Sequence, residues 1–100
     1  MAEHPLSTLN KIDPAMMKRL EELDEFVYGS GALPRKIKLL IAMAFDAAHG
    51  AENGVRSLAA AAIQEGATTE EIAEVLRVAY HLSGVGTLYI GSIGLKDVLK

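Results

Sequence analysis

At 100 residues with a formal net charge of -3 and no cysteine, the chain is one small acidic domain without disulfides, thiolate metal sites or thiol catalysis. Ten Lys and Arg residues are dispersed among thirteen Asp and Glu, so no basic field points to nucleic acid or to an anionic membrane. Half the residues are hydrophobic and only 23% are charged, which is generous for a domain of a size that buries only about 60–65% of its unfolded surface. The excess points to a homo-oligomer in which one helix face is core and another is interface. The N-terminal MAEHPLSTLNK lacks a charged n-region followed by an apolar run, and no stretch approaches a ~20-residue span, so a cytoplasmic protein is expected.

Residues 1–12 read as an N-terminal arm, because Pro5, Ser7, Thr8 and Asn10 oppose helix, while Leu6, Leu9 and Ile12 can pin the arm to a groove. The domain proper is expected at 13–100. Asp13-Pro14 is a helix start: the carboxylate can accept from free N–H groups, and proline at the first helical position loses no bond. The helix that follows carries Met17, Leu20, Leu23 and Val27 on one side and is expected to stop at Tyr28-Gly29-Ser30-Gly31 with glycine in a left-handed cap.

Leu33-Pro34 opens a second long helix whose Ile37, Leu40, Ile41, Ala44, Phe45 and Ala48 fall at helical spacing and are read as its core stripe. Leu39 and Met43 lie on another side, so burial on more than one face is expected. Gly50 ends it. The next helix is poor in bulk, with Val55, Leu58, Ala59, Ala62 and Ile63 as its core stripe, and its Gly54 costs roughly 1 kcal/mol relative to alanine. Gly66 then terminates it, and Thr68 with Glu71 three residues later forms a capping box for a helix bearing Ile72, Val75, Leu76 and Ala79. In the tail, Gly84, Thr87, Gly91 and Gly94 share one smooth side of a last helix, opposite Leu88, Ile93 and Leu95. The expected fold is all-α, a compact bundle of about five helices.

Chemistry is sparser. Asp46 and His49, three apart at a helix end, suit a carboxylate-oriented histidine base, and equally suit a helix-end histidine stabilised by the macrodipole. Arg77 and His81, with Tyr80 or Tyr89 nearby, suit an organic acid or a subunit contact. His4, His49 and His81 are too dispersed for a metal site, so no metal or cofactor is expected. Gly84-Val85-Gly86 follows a helix, not a strand, and lacks the later glycine and lysine of a phosphate loop. There is no Gly-x-Ser-x-Gly elbow to activate Ser57 or Ser83.

The run from Leu33 to about Tyr80, with Leu33, Pro34, Lys36, Leu40 and Ile41 at its start and Gly66-Ala67-Thr68-Thr69-Glu70-Glu71-Ile72 at its turn, resembles the carboxymuconolactone decarboxylase and alkylhydroperoxidase D family. The resemblance implies an all-α unit assembling as a homotrimer or homohexamer. The peroxidase branch of the family uses Cys-x-x-Cys at a helix start, a histidine shortly after, and a glutamate on the preceding helix. In register, those positions hold Ala51, Gly54, Leu58 and Leu39. Neither alanine nor glycine supplies a thiolate, so thiol peroxidase activity is excluded. The decarboxylase branch resembles a cofactor-free site built on histidine and other polar groups. By that resemblance, the expected function is a cofactor-free lyase, decarboxylase or proton-transfer enzyme on a small organic acid, with His49 and Asp46 catalytic and Glu52, Arg56 and Ser57 binding substrate; Arg77 is a second candidate carboxylate anchor. The alternative is a non-catalytic oligomeric scaffold or ligand-binding module. A polar pocket at His49 would favour the first, and a collapsed apolar site around Leu39, Ala51, Gly54 and Leu58 the second.

Overall fold

A computed structural model describes residues 4–99; the first three residues of the expected arm, and Lys100, lie outside the described residues. Among the described residues there are six helices and no strand: α1 (Ser7–Ile12), α2 (Pro14–Tyr28), α3 (Arg35–Ala48), α4 (Glu52–Gln64), α5 (Thr69–Ser83) and α6 (Gly86–Leu95).

Local chemistry sets most of the boundaries. The Asp13 side chain accepts from the Met16 N–H at 3.0 Å, with Pro14 behind it at the first helical position, as the sequence suggests. At the other end of α2 the expectation is corrected. Gly29 caps the helix at φ -61°, ψ 148°, in extended backbone rather than the left-handed region, and its carbonyl accepts from Lys38 Nζ at 2.6 Å. Gly66 does take the left-handed form after α4, at φ +98°, and lets the Ala67 N–H turn back to the Ala62 carbonyl. Thr68 and Glu71 then close both arms of the capping box. Gly84 belongs to the break after α5, at φ +93°, not to the packing side of α6.

The expected arm is partly helical. Ser7–Ile12 makes a short helix beside α2, with Leu6, Met17 and Leu20 lining the open groove between them, although Ser7, Thr8 and Asn10 are poor helix formers. This raises the helix number from about five to six.

The centre of the molecule is the α3–α4 hairpin. Against it α6 packs chiefly on α4, and α5 on α3. The core consists of Leu39, Leu40, Met43 and Ala47 from α3, Val55, Ala59 and Ala62 from α4, Ile72 from α5 and Leu95 from α6. Small residues let backbones meet: a Cβ at Gly94 would lie 2.7 Å from Val55 Cβ and 2.8 Å from the Glu52 carbonyl oxygen. On α3 the expected stripe is partly right: Leu40 is in the core and Ile37 packs against it, and the second side expected at Leu39 and Met43 is buried as well. Leu39, Leu40, Met43 and Ala47 point inward, whereas Ile41 and Phe45 are 45% and 61% exposed. No residue of α2 is buried, and Leu23, Phe26 and Val27 lie open on its surface.

Candidate functional site at the α3–α4 junction

Asp46, His49, Glu52, Arg56 and Ser57 lie at and just after the turn that closes the central hairpin. His49 follows the last residue of α3, its N–H returning to the Phe45 carbonyl at 3.0 Å, and Gly50 at φ +83° swings the chain into α4. The Ala51 N–H completes the turn by donating to the Asp46 carbonyl at 2.8 Å. The imidazole of His49 is exposed and tilts at 39° beside the Phe45 ring, centroids 6.2 Å apart.

Asp46 does not orient that imidazole. Among the described residues, no hydrogen bond or ion pair joins the two side chains, and the half-buried Asp46 carboxylate lies instead against the backbone of Gly54, across the hairpin. A Cβ on Gly54 would stand 2.7 Å from Asp46 Cγ. Glycine at position 54 is therefore required by the passage of a neighbouring acid, a reason that lies 8 residues upstream.

Arg56 is half-buried and donates from Nη1 to the Asn53 side-chain oxygen at 2.6 Å, one turn back on α4. Glu52 and Ser57 are exposed, Glu52 in the first turn of α4, where a carboxylate is favoured by the free N–H groups of a helix start. The junction thus presents an imidazole, a guanidinium, two carboxylates and a hydroxyl on one end of the hairpin. That set can transfer a proton and hold an organic acid. Among the described residues no group of three His, Cys, Asp or Glu could hold a metal ion.

The four positions at which the peroxidase branch would carry reactive groups are packed. Leu39 is 2% exposed in the core, Leu58 packs against that core, and Ala51 and Gly54 are half-buried at the start of α4, so these four positions form the collapsed apolar arrangement expected of the non-catalytic alternative. Arg77 and His81 both lie exposed on α5, and among the described residues neither a hydrogen bond nor an ion pair joins them.

One feature beside the junction was missed in the sequence. The outward stripe of α3 and the facing side of α5 enclose an open groove in two lobes, about 280 Å³ and 170 Å³, both walled by Phe45 and Val78. The lobe nearer His49 is lined by Ala44, Ala48, Ala79, Leu82 and Ser83 as well. Its signal was present as the Ile37-Ile41-Phe45 spacing, assigned to core.

With this geometry in place, comparison with known proteins is informative. The sequence pattern of the carboxymuconolactone decarboxylase family matches residues 14–88. The chain belongs to that family. The match extends past the Leu33–Tyr80 resemblance on both sides and takes in α2 and the start of α6. In structure the chain is similar to the apo form of a carboxymuconolactone decarboxylase family protein from Legionella pneumophila, with a TM-score of 0.84, 28% identity, and coverage of 91% of this chain and 81% of that one. No curated protein matches the sequence.

Proposed function

We propose that this carboxymuconolactone decarboxylase family member is a thiol-independent, cofactor-free lyase or decarboxylase acting on a small organic acid at the α3–α4 junction. The observation that carries the reading is the exposed His49 imidazole, engaged by no other polar side chain among the described residues, beside the Phe45 ring that walls an apolar groove, with Arg56 following on α4. In this reading His49 takes or returns the proton at the carbon next to the substrate's acyl group, imidazole being the side chain best suited to proton transfer near neutral pH. Arg56 exchanges its bond to the neutral Asn53 side chain for a charge-assisted bond to the substrate carboxylate. Ser57 and Glu52 flank that anchor, and Asp46 fixes the turn that carries His49 by packing against Gly54. With no cysteine in the sequence, hydroperoxide reduction through a thiolate is outside its chemistry.

The protein is proposed to act in the cytoplasm as a homotrimer or homohexamer, without nucleic acid or membrane partners. Large apolar side chains left open on α2, α3, α5 and α6 support the assembly. No described helix is long and apolar enough to cross a membrane.

The test is a thermal-shift screen of small mono- and dicarboxylic acids and lactone acids against wild type, His49→Ala and Arg56→Met. At least one acid should stabilise wild type, with the shift reduced in both variants. If every ligand-induced shift survives His49→Ala unchanged, the junction is not the site.

A further inference from the structure

We infer that α1 and α2 form an arm that undocks as one unit, hinged at residues 29–33, while α3–α6 stay folded, and that Lys38 is its latch. Among the described residues the core is drawn from α3 to α6 and the turn at Ala67, and Tyr28 is the one apolar residue before α3 that packs against it. Neither α1 nor α2 contributes a buried residue, and Leu23 and Phe26 are 55% and 82% exposed. Among the described residues, no side chain of α2 makes a hydrogen bond or an ion pair with α3–α6. The arm is held at one end, where Val27 and Tyr28 face Ile41, Ala42 and Phe45 across a groove of about 380 Å³. A segment with so little buried apolar surface opens at a small fraction of the global unfolding free energy.

Charge explains why the arm needs a latch. The first turn of α2 has no acid and its last turn no base, while Glu22, Asp24 and Glu25 crowd the carboxyl half, where the helix dipole disfavours negative charge. Lys38 supplies the missing cation from α3: its Nζ donates at 2.6 Å to the carbonyl of Gly29, the residue that caps α2. That bond is exposed, so salt screens it. Gly29 and Gly31 flank Ser30 in the hinge, and glycine backbone reorients at little steric cost. Undocked, the six residues of α1 and the fifteen of α2 are at or below the length at which a helix holds by itself, so opening also removes their amide protection. It takes the Val27 and Tyr28 wall away from Phe45, whose ring stands beside His49, and the arm thereby sets how open that side of the junction is.

The experiment is peptide-level hydrogen exchange by mass spectrometry on the full chain, which needs no substrate and is read independently of the catalytic proposal. Wild type, Lys38→Met and Lys38→Arg are compared at pH 7, without urea and at urea concentrations below the unfolding transition, at low and high salt. In wild type, peptides from 14–28 are expected to exchange many times faster than those from 39–47 and 55–62, and to respond less to urea, as a local opening does. Lys38→Met is expected to speed exchange in 14–28 several-fold and to leave 39–47 and 55–62 unchanged, with Lys38→Arg close to wild type. Raising salt should speed exchange of the arm in wild type and much less in Lys38→Met. An arm that exchanges no faster than the body, whether the body or a covering partner protects it, would overturn the inference. So would a Lys38→Met protein in which arm and body change together, or in which the arm does not change. Should Lys38→Met be unstable, the wild-type exchange pattern and its salt dependence decide the matter.

Discussion

The carboxylate of Asp46 occupies the space that a side chain at Gly54 would need, so the end of α3 and the start of α4 are locked together by an acid resting on bare backbone. In a free helix, replacing glycine by alanine gains roughly 0.5–1 kcal/mol. Here the added methyl would meet Asp46 Cγ at 2.7 Å and Cβ at 3.3 Å, and rotating the carboxylate aside relieves only the first of these contacts. Gly54→Ala is therefore expected to destabilise the protein by about 1 kcal/mol or more. In an Asp46→Ala background the same substitution should become stabilising. Urea denaturation of the four members of this double-mutant cycle measures the coupling, and additive effects would show that the two residues do not compete for space.

The same contact shows why the site was only partly legible in sequence. Gly54 reads as a helix-weakening residue until the position of Asp46 is known, and Asp46 reads as a partner for His49 because both sit near one helix end. The contact that decides between these readings crosses from α3 to α4, and spacing along one helix does not contain it. Features made by neighbours in the chain were legible: the Asp13-Pro14 start, the helix stop at Gly66 and the box of Thr68 and Glu71 all stand where the sequence puts them. The faces of α3 were not. It is apolar nearly all round, so Ile41-Phe45 and Leu39-Met43 fit helical spacing equally, and only the placement of the neighbouring helices buries the second pair and leaves the first open. On α6 the small side was legible, because Thr87, Gly91 and Gly94 differ in size from Leu88 and Ile93 and close packing selects them, but Leu95, expected on the opposite side, is buried with them in the core.

A second prediction concerns Glu71, which fastens the start of α5 to the start of α3. One of its oxygens accepts from the Thr68 N–H at 2.9 Å and the other from Lys36 Nζ at 3.0 Å. The backbone bond to Thr68, followed by the bond to Lys36, holds its carboxyl below the ordinary value of 4.5. A carboxyl depressed on folding contributes stability that is fully present above its unfolded value and is lost as pH falls through its folded value. Glu71→Gln keeps an oxygen for the Thr68 N–H and gives up the charge. The gap in urea midpoint between wild type and Glu71→Gln should therefore be widest near pH 7 and should close as pH drops below about 4.5. Because the pair is partly exposed, added salt should narrow the gap at pH 7 as well. A gap of constant size from pH 7 to pH 3 would mean that Glu71 titrates alike in the folded and unfolded chain.

The last prediction asks whether the relay acid of the peroxidase branch can be put back into this fold. In register that acid falls at Leu39, which is 2% exposed and packed in the cluster that holds Met43, Val55 and Ala59. A carboxylate there is desolvated by apolar neighbours, so Leu39→Glu should cost about 4 kcal/mol or more at pH 7. Desolvation raises the folded value of the new carboxyl above its unfolded value, so the penalty grows as pH climbs past the unfolded value and levels off only above the folded one. Leu39→Gln has a similar shape and does not titrate, and its penalty relative to wild type at the same pH should stay flat. Urea midpoints at pH 4 and pH 7 for the three proteins separate the two cases: Leu39→Glu is expected to approach Leu39→Gln at pH 4 and to fall well below it at pH 7. A Leu39→Glu protein as stable as Leu39→Gln at pH 7 would show that water or a cation reaches position 39 and that the core described around it is not closed.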